Sequence, residues 1–162
     1  MLLEALKQID YVPRGSFSLF PASGPLVAAP EAKLHMSLTT FEEHPPFMNN
    51  PAITEFARQF NERAGKAGLP YTKMEQQAAI AYTAWQVLAT AVTATRSLDD
   101  KVLARWLKSN RVDTIIGKQR FDGQNNFGDD LYRVRQIQGN NWRVVWPREW
   151  AAPGVKLVYP NP

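Results

Sequence analysis

The side chains with the most chemical potential lie in one short stretch. Both histidines of the chain, His35 and His44, flank Glu42 and Glu43. A metal site would use His44 with Glu42 or Glu43, but transition metals take three or four ligands at a recognisable spacing. That set is missing, so no metal is expected and the stretch reads as a solvated acidic loop. Two more carboxylate pairs are Asp99/Asp100 and Asp129/Asp130. The first is explained by a helix start, where the backbone dipole favours negative charge. The second closes a run, residues 125–130, that resembles a calcium loop only loosely and lacks its D-x-[DN]-x-[DN]-G order and closing Glu. Nucleophile-elbow, phosphate-loop and dinucleotide patterns are missing as well. No catalytic residue, enzyme activity or cofactor is expected.

Stacking and charge offer another chemistry. There are five tryptophans, and Arg133, Arg135, Arg143 and Arg148 alternate with apolar residues near the C-terminus. Sharing one face, they would make a basic, aromatic surface for nucleic acid. Against this, Trp85 and Trp106 lie on apolar helix faces and read as core. The net charge is +4 with a pI near 9.5, and polyanion binding needs clustered cations. No nucleic-acid partner is expected. The absence of cysteine excludes disulfides and thiol chemistry. No secretory signal is legible in the opening residues, so the chain read alone is expected to be cytoplasmic.

Elements to position these groups are readable in order. Leu2, Leu3, Leu6 and Ile9 mark one helical face, and Pro13 and Gly15 end that helix. Residues 16–20 and 34–41 read as strands, and residues 26–32 as a weakly signalled helix. Residues 42–50 read as a Pro-rich loop. Asn50 caps a helix with Pro51 at its first position and Ile53, Phe56, Phe60 and Ala64 on its apolar side.

The longest element covers residues 71–96. Thr72 and Glu75 read as a capping box, and Met74, Ala78, Ala81, Trp85, Leu88 and Val92 as a buried stripe. No residue between Glu75 and Arg96 is charged, so cover on all sides is expected. Ser97 is expected to cap the next helix, with Val102, Leu103, Trp106 and Leu107 facing inward. Residues 113–121 read as a strand broken at Gly117. Residues 131–138 and 142–146 read as a hairpin turning at Gly139-Asn140-Asn141. The tail reads as a surface strap.

In order, these stations are FPASGP, LHMSLTTF, NPAITEFARQFNERAG, AAIAYTAWQVLATAV, SLDDKVLARWLKSNRVDTIIGKQRFD and RVRQIQGNNWRVVWP. Together they resemble the C-terminal part of type I periplasmic solute-binding proteins, the Leu/Ile/Val-binding family of ABC transporters. The resemblance implies an α/β fold: an incomplete two-lobed type I periplasmic-binding-protein-like fold, C-terminal segment only. By it, residues 1–33 are a remnant of the second lobe and residues 34–121 mainly a first-lobe segment, with a hinge crossing at residues 34–41. Residues 122–162 return as the closing hairpin and tail to the hinge and second lobe.

The resemblance implies a binding component of an importer rather than an enzyme. Its partners would be an amino-acid-like or related small polar solute and the transporter's membrane subunits, and its location periplasmic. The loop after a second-lobe strand supplies ligand contacts in that family, which points to Phe20, Ala22 and Ser23. The loop lacks the acidic group that amino-acid binders offer there. Counting back from Tyr82 on the helix gives Gln77, with Glu75 and Met74 beside it. An amide at that helix start suits a small polar ligand and a carboxylate suits a cation. A fragment of this kind is expected to expose apolar surface and to form a homo-oligomer in isolation. The alternative is an interaction or structural protein that reuses the half-fold without binding solute.

Overall fold

The structure, a computed structural model, describes residues 2–11, 13–19, 21–124 and 132–160. The loosely calcium-like run 125–130 lies outside the described residues. The chain divides into two compact units, one of Met1–Glu75 with Tyr132–Pro162 and one of Gln76–Leu131. Together the helices and small sheets form a mixed α/β protein, a partial periplasmic-binding-protein-like fold.

The first unit holds helices α1 (Leu2–Gln8), α2 (Ser23–Ala28) and α3 (Pro51–Lys66), and strands β1 (Phe17–Ser18), β2 (Met36–Thr39), β5 (Arg133–Gln138) and β6 (Asn141–Trp146). The strands form one sheet in the order β1-β2-β5-β6. β1 runs parallel to β2, and the remaining pairs are antiparallel. A two-residue turn joins β5 to β6, with Gly139 at φ 57° and Asn140 at φ 56°. Both values suit the left-handed turn that matches strand twist, and Gly and Asn are the residues that reach it cheaply.

Register decides which side chains go inside. Ser37 lies opposite Arg135 and Thr39 opposite Arg133, so these four share one face. All four are buried. Leu26 of α2 and Ala32 pack there with Ile137 and Trp142 into an apolar cluster. Near the other face, Gln136 accepts from the Val158 N–H at 3.1 Å and donates to its carbonyl at 2.9 Å. This two-way bond holds the C-terminal strap.

α3 starts as its sequence predicts. Asn50 accepts from the Ala52 N–H at 2.9 Å, Pro51 opens the helix, and Ile53, Ala57 and Ala64 are its buried side. Phe56 and Phe60 are half-buried.

The second unit holds α4 (Gln76–Thr95), α5 (Asp100–Ser109) and the hairpin of β3 (Val112–Thr114) and β4 (Gly117–Gln119). Residues 113–121, expected as one broken strand, instead fold back at Ile115-Ile116, with Gly117 at φ 126°. The Ile115 N–H donates to Gln86 of α4 at 3.0 Å, which pins the turn to the helix. α5 is capped by Asp99, which accepts from the Val102 N–H at 3.0 Å. Ser97, the expected cap, instead accepts from the Asp99 N–H at 3.0 Å and shapes the turn before it.

α4 departs from its sequence reading in two ways. It begins at Gln76, so Thr72 and Glu75 make no capping box. The buried positions are Gln76, Ala79, Thr83 and Ala91; of the expected stripe only Met74, which precedes the helix, is buried, and Ala78 and Val92 are half-buried. Trp85 is 69% exposed, and Leu88 and Ala81 are exposed as well. A helix this uniformly uncharged carries no polar face to fix its rotation. Contacts with α5 and β3 choose the side of small residues.

Candidate functional site

Two of the stretches singled out by sequence meet in the first unit, around a buried ion pair. Ser23 opens α2 and is 1% exposed. Its hydroxyl accepts from Arg135 Nη2 at 3.1 Å, and its carbonyl accepts from Trp142 Nε1 at 3.2 Å. Arg135 is fully buried, with its guanidinium 4.0 Å from the centre of the Trp142 ring. Its Nη1 is bonded to the Glu42 carboxylate. One arginine of the closing hairpin thus holds the loop at Ser23 and the loop at Glu42.

Tyr71 closes the arrangement. A Cβ built on Gly24 would fall 2.6 Å from the Tyr71 Cβ, so glycine is what lets the tyrosine reach the loop. Burial pushes the Tyr71 phenol up to about 12, helped by the carboxylates of Glu42 and Glu75 and opposed by Arg135. Burial also raises Glu42 above the ordinary carboxylate range, against the pull of Arg135. The site is therefore a buried arginine–glutamate pair, with Ser23, Trp142 and Tyr71 packed around it.

Glu43 fixes the following segment. It accepts from the Met74 N–H at 2.7 Å and from Asn61 Nδ2 at 3.2 Å. Lys73 donates to Asn141 at 2.8 Å. These bonds hold residues 71–75 against α3 and the hairpin.

The predicted site residues fall into three groups. Ser23, Met74 and Glu75 belong to this one unit, with Met74 buried and Glu75 half-buried. Ala22 is exposed beside Ser23, and Phe20 lies outside the described residues. Gln77 is exposed on the first turn of α4, in the other unit.

The residues 42–44 stretch is not a solvated loop: Glu42 is 8% and His44 5% exposed. His35 is also buried, its ring nitrogens bonded to the Ser16 hydroxyl at 2.8 Å and the Ser18 hydroxyl at 2.7 Å. The arginines do not form a basic stripe either. Arg133 is buried, 4.1 Å from the centre of the Trp150 ring. Sequence reasoning passed over Tyr71, and it weighed Glu42 only for a metal and Arg135 only for nucleic acid, not as a buried pair. The available signal was register, since Arg133, Arg135 and Ile137 alternate onto one strand face and Ile137 is plainly a core residue. Among the described residues, no group of His, Asp and Glu could hold a metal ion, and no helix is long and apolar enough to cross a membrane.

The site is thus a buried polar cluster in the first unit of a two-unit α/β chain. The family model of periplasmic binding proteins matches residues 2–141, and the chain belongs to that family. The family is periplasmic and binds small-molecule solutes rather than catalysing reactions. No curated protein matches the chain.

Proposed function

We propose that this chain is a solute-binding component of an ABC importer, corresponding to the C-terminal part of a receptor of the Leu/Ile/Val-binding branch. The observation that carries the proposal is the convergence of the Ser23 loop with Tyr71 and Glu75. These stretches are far apart in sequence. The two compact units are the chain's shares of the two lobes, the first unit belonging to the second lobe. On this reading residues 34–75 go with the second lobe rather than the first, because Glu43, Lys73 and Tyr71 tie them into the first unit. Gln77 is a further candidate for solute contact.

The half-buried Glu75 carboxylate favours an amino-acid-like or other small polar solute with a cationic group. Glu75 supplies the charge that the Ser23 loop lacks. The chain performs no catalysis. Bound solute shifts the receptor toward the conformation that the membrane subunits of the transporter read.

The test is a calorimetric and thermal-shift screen of amino acids, their amides and aromatic acids. A cationic solute should bind, with Glu75→Gln weakening it by roughly tenfold or more, as expected for a charged contact worth about 1.5–3 kcal/mol. Binding that is indifferent to Glu75→Gln and Gln77→Ala would remove these residues from the site.

A second reading is favoured by α4. Its exposed Trp85, Leu88, Ile80 and Tyr82 form an apolar surface suited to another protein surface. On that reading the chain is an interaction protein, and it self-associates through the helix.

A further inference from the structure

The sheet of the first unit ends at β1 on one side and β6 on the other. An edge strand offers unpaired N–H and C=O groups to any passing strand, and proteins block such edges. In an antiparallel hairpin, alternate residues direct both groups away from the partner strand. Val144 of β6 is such a residue, and both its groups are taken. Its N–H donates to His44 Nε2 at 3.2 Å, and its carbonyl accepts from the Ala152 N–H at 2.9 Å. The other ring nitrogen, Nδ1, bonds the Pro45 carbonyl at 2.6 Å. A carbonyl only accepts and an amide N–H only donates, so the two bonds define one tautomer, with hydrogen on Nδ1 and a lone pair on Nε2. The ring is held edge-on to Phe47, with centroids 5.6 Å apart.

We propose that His44 is a proton-sensitive plug of the β6 edge. Neutral, its Nε2 lone pair closes the edge at Val144. Protonated, the same nitrogen carries a hydrogen, the two donors face each other, and the edge opens. The proton arrives from solvent and stays on Nε2; no other bond is made or broken.

The charged surroundings set where this happens. Burial lowers the His44 pKa, and Arg143 of β6 lowers it further, while the Pro45 carbonyl favours the imidazolium. Arg133 of β5 lies over the far partner Phe47 at 5.5 Å. On the ring's own segment, Glu42 is bonded to Arg135, and Glu43 to Met74 and Asn61. No carboxylate among the described residues bonds the ring. Opening therefore falls in acid, below the ordinary histidine value of about 6.5. This inference does not depend on solute binding.

The experiment is site-resolved hydrogen exchange by NMR on the isotopically labelled chain, from about pH 7.5 to about pH 4.5, a span that brackets the ordinary histidine value. Rates are corrected for intrinsic pH dependence, and the His44 ring nitrogens are followed in parallel. At neutral pH the ring should show the Nδ1–H tautomer. As it protonates, Val144 exchange should rise by roughly tenfold or more, as expected when a buried donor loses its acceptor. The Ile137 N–H, bonded to the His35 carbonyl at 3.0 Å, reports opening of the sheet as a whole and should lag. His44→Gln retains an acceptor that does not titrate, and should make Val144 protection independent of pH. Three outcomes would overturn the plug. One is unchanged Val144 protection while the ring protonates, another is Ile137 rising in step with Val144, and the third is His44→Gln keeping the wild-type pH profile.

Discussion

The first unit buries charge, and the longest helix of the second unit exposes apolar surface. Glu42, Arg133, Arg135, His35 and His44 are all inside. α4 has no charged residue, yet holds Trp85 69% exposed and Leu88 43% exposed. The contrast shows that hydrophobicity of a segment and burial of a segment are separate facts. A charge goes inside when partners satisfy it, and an apolar face stays outside when nothing within its unit reaches it.

The strongest way to break the comparison is to remove the cation. Arg135→Ala leaves the Glu42 carboxyl and the Ser23 hydroxyl buried without it, and should destabilise the chain by about 3–5 kcal/mol in chemical denaturation. Adding Glu42→Gln to that variant should restore part of the loss, because no buried charge then remains unpaired. If Arg135→Ala is as stable as the parent, the pair does not hold the two loops.

A steric test comes next. Gly24→Val would drive a side chain into Tyr71, and a loss of about 1–3 kcal/mol is expected. An unchanged denaturation midpoint would mean that residues 71–75 do not rest on the Ser23 loop.

Titration separates the buried groups by sign. His35 and His44 both have lowered pKa values, from burial first. Each therefore contributes stability that is present above about pH 6.5 and is lost as pH falls through its folded pKa. Glu42 has a raised pKa. Its contribution is fully present below the unfolded carboxylate value and is lost as pH rises through the folded one. Glu42→Gln should accordingly flatten stability on the alkaline side of about pH 4.5, and leave the histidine loss on the acid side of about 6.5. A Glu42→Gln profile parallel to the parent would remove Glu42 from the balance.

Smaller effects concern local caps. Asn50→Ala and Asp99→Ala each remove one side-chain acceptor at a helix start, and each should cost about 1 kcal/mol. Ser97→Ala should cost less than Asp99→Ala, and the reverse order would reinstate Ser97 as the cap. The smallest effect is expected at the exposed face of α4. Trp85→Gln should change stability by no more than about 0.5 kcal/mol. Light scattering on the same variant decides the second functional reading. An oligomer that dissociates on Trp85→Gln supports the interaction protein, and a monomer before and after removes it.

Legibility in the sequence followed the range of the forces involved. The Asn50-Pro51 helix start, the Gly139-Asn140 turn and the order of elements depend on neighbouring residues, and sequence showed them. The family resemblance also rested on order and spacing, and the family match covers residues 2–141. The helix start at Gln76 was not legible because Glu43, distant in sequence, binds the Met74 N–H and ties the segment before the helix to another part of the chain. Of the candidate site, Ser23, Met74 and Glu75 were visible as positions. What the Ser23 hydroxyl bonds was not.

By itself, then, the sequence determined local geometry: caps, turns, periodicities and an uncharged helix. Tertiary structure alone decided which face of that helix is covered, and that Glu42, His44 and Arg135 belong inside. The reason is physical. Backbone preferences act over a few residues, whereas the stability of a buried charge depends on a partner brought from a distant part of the chain.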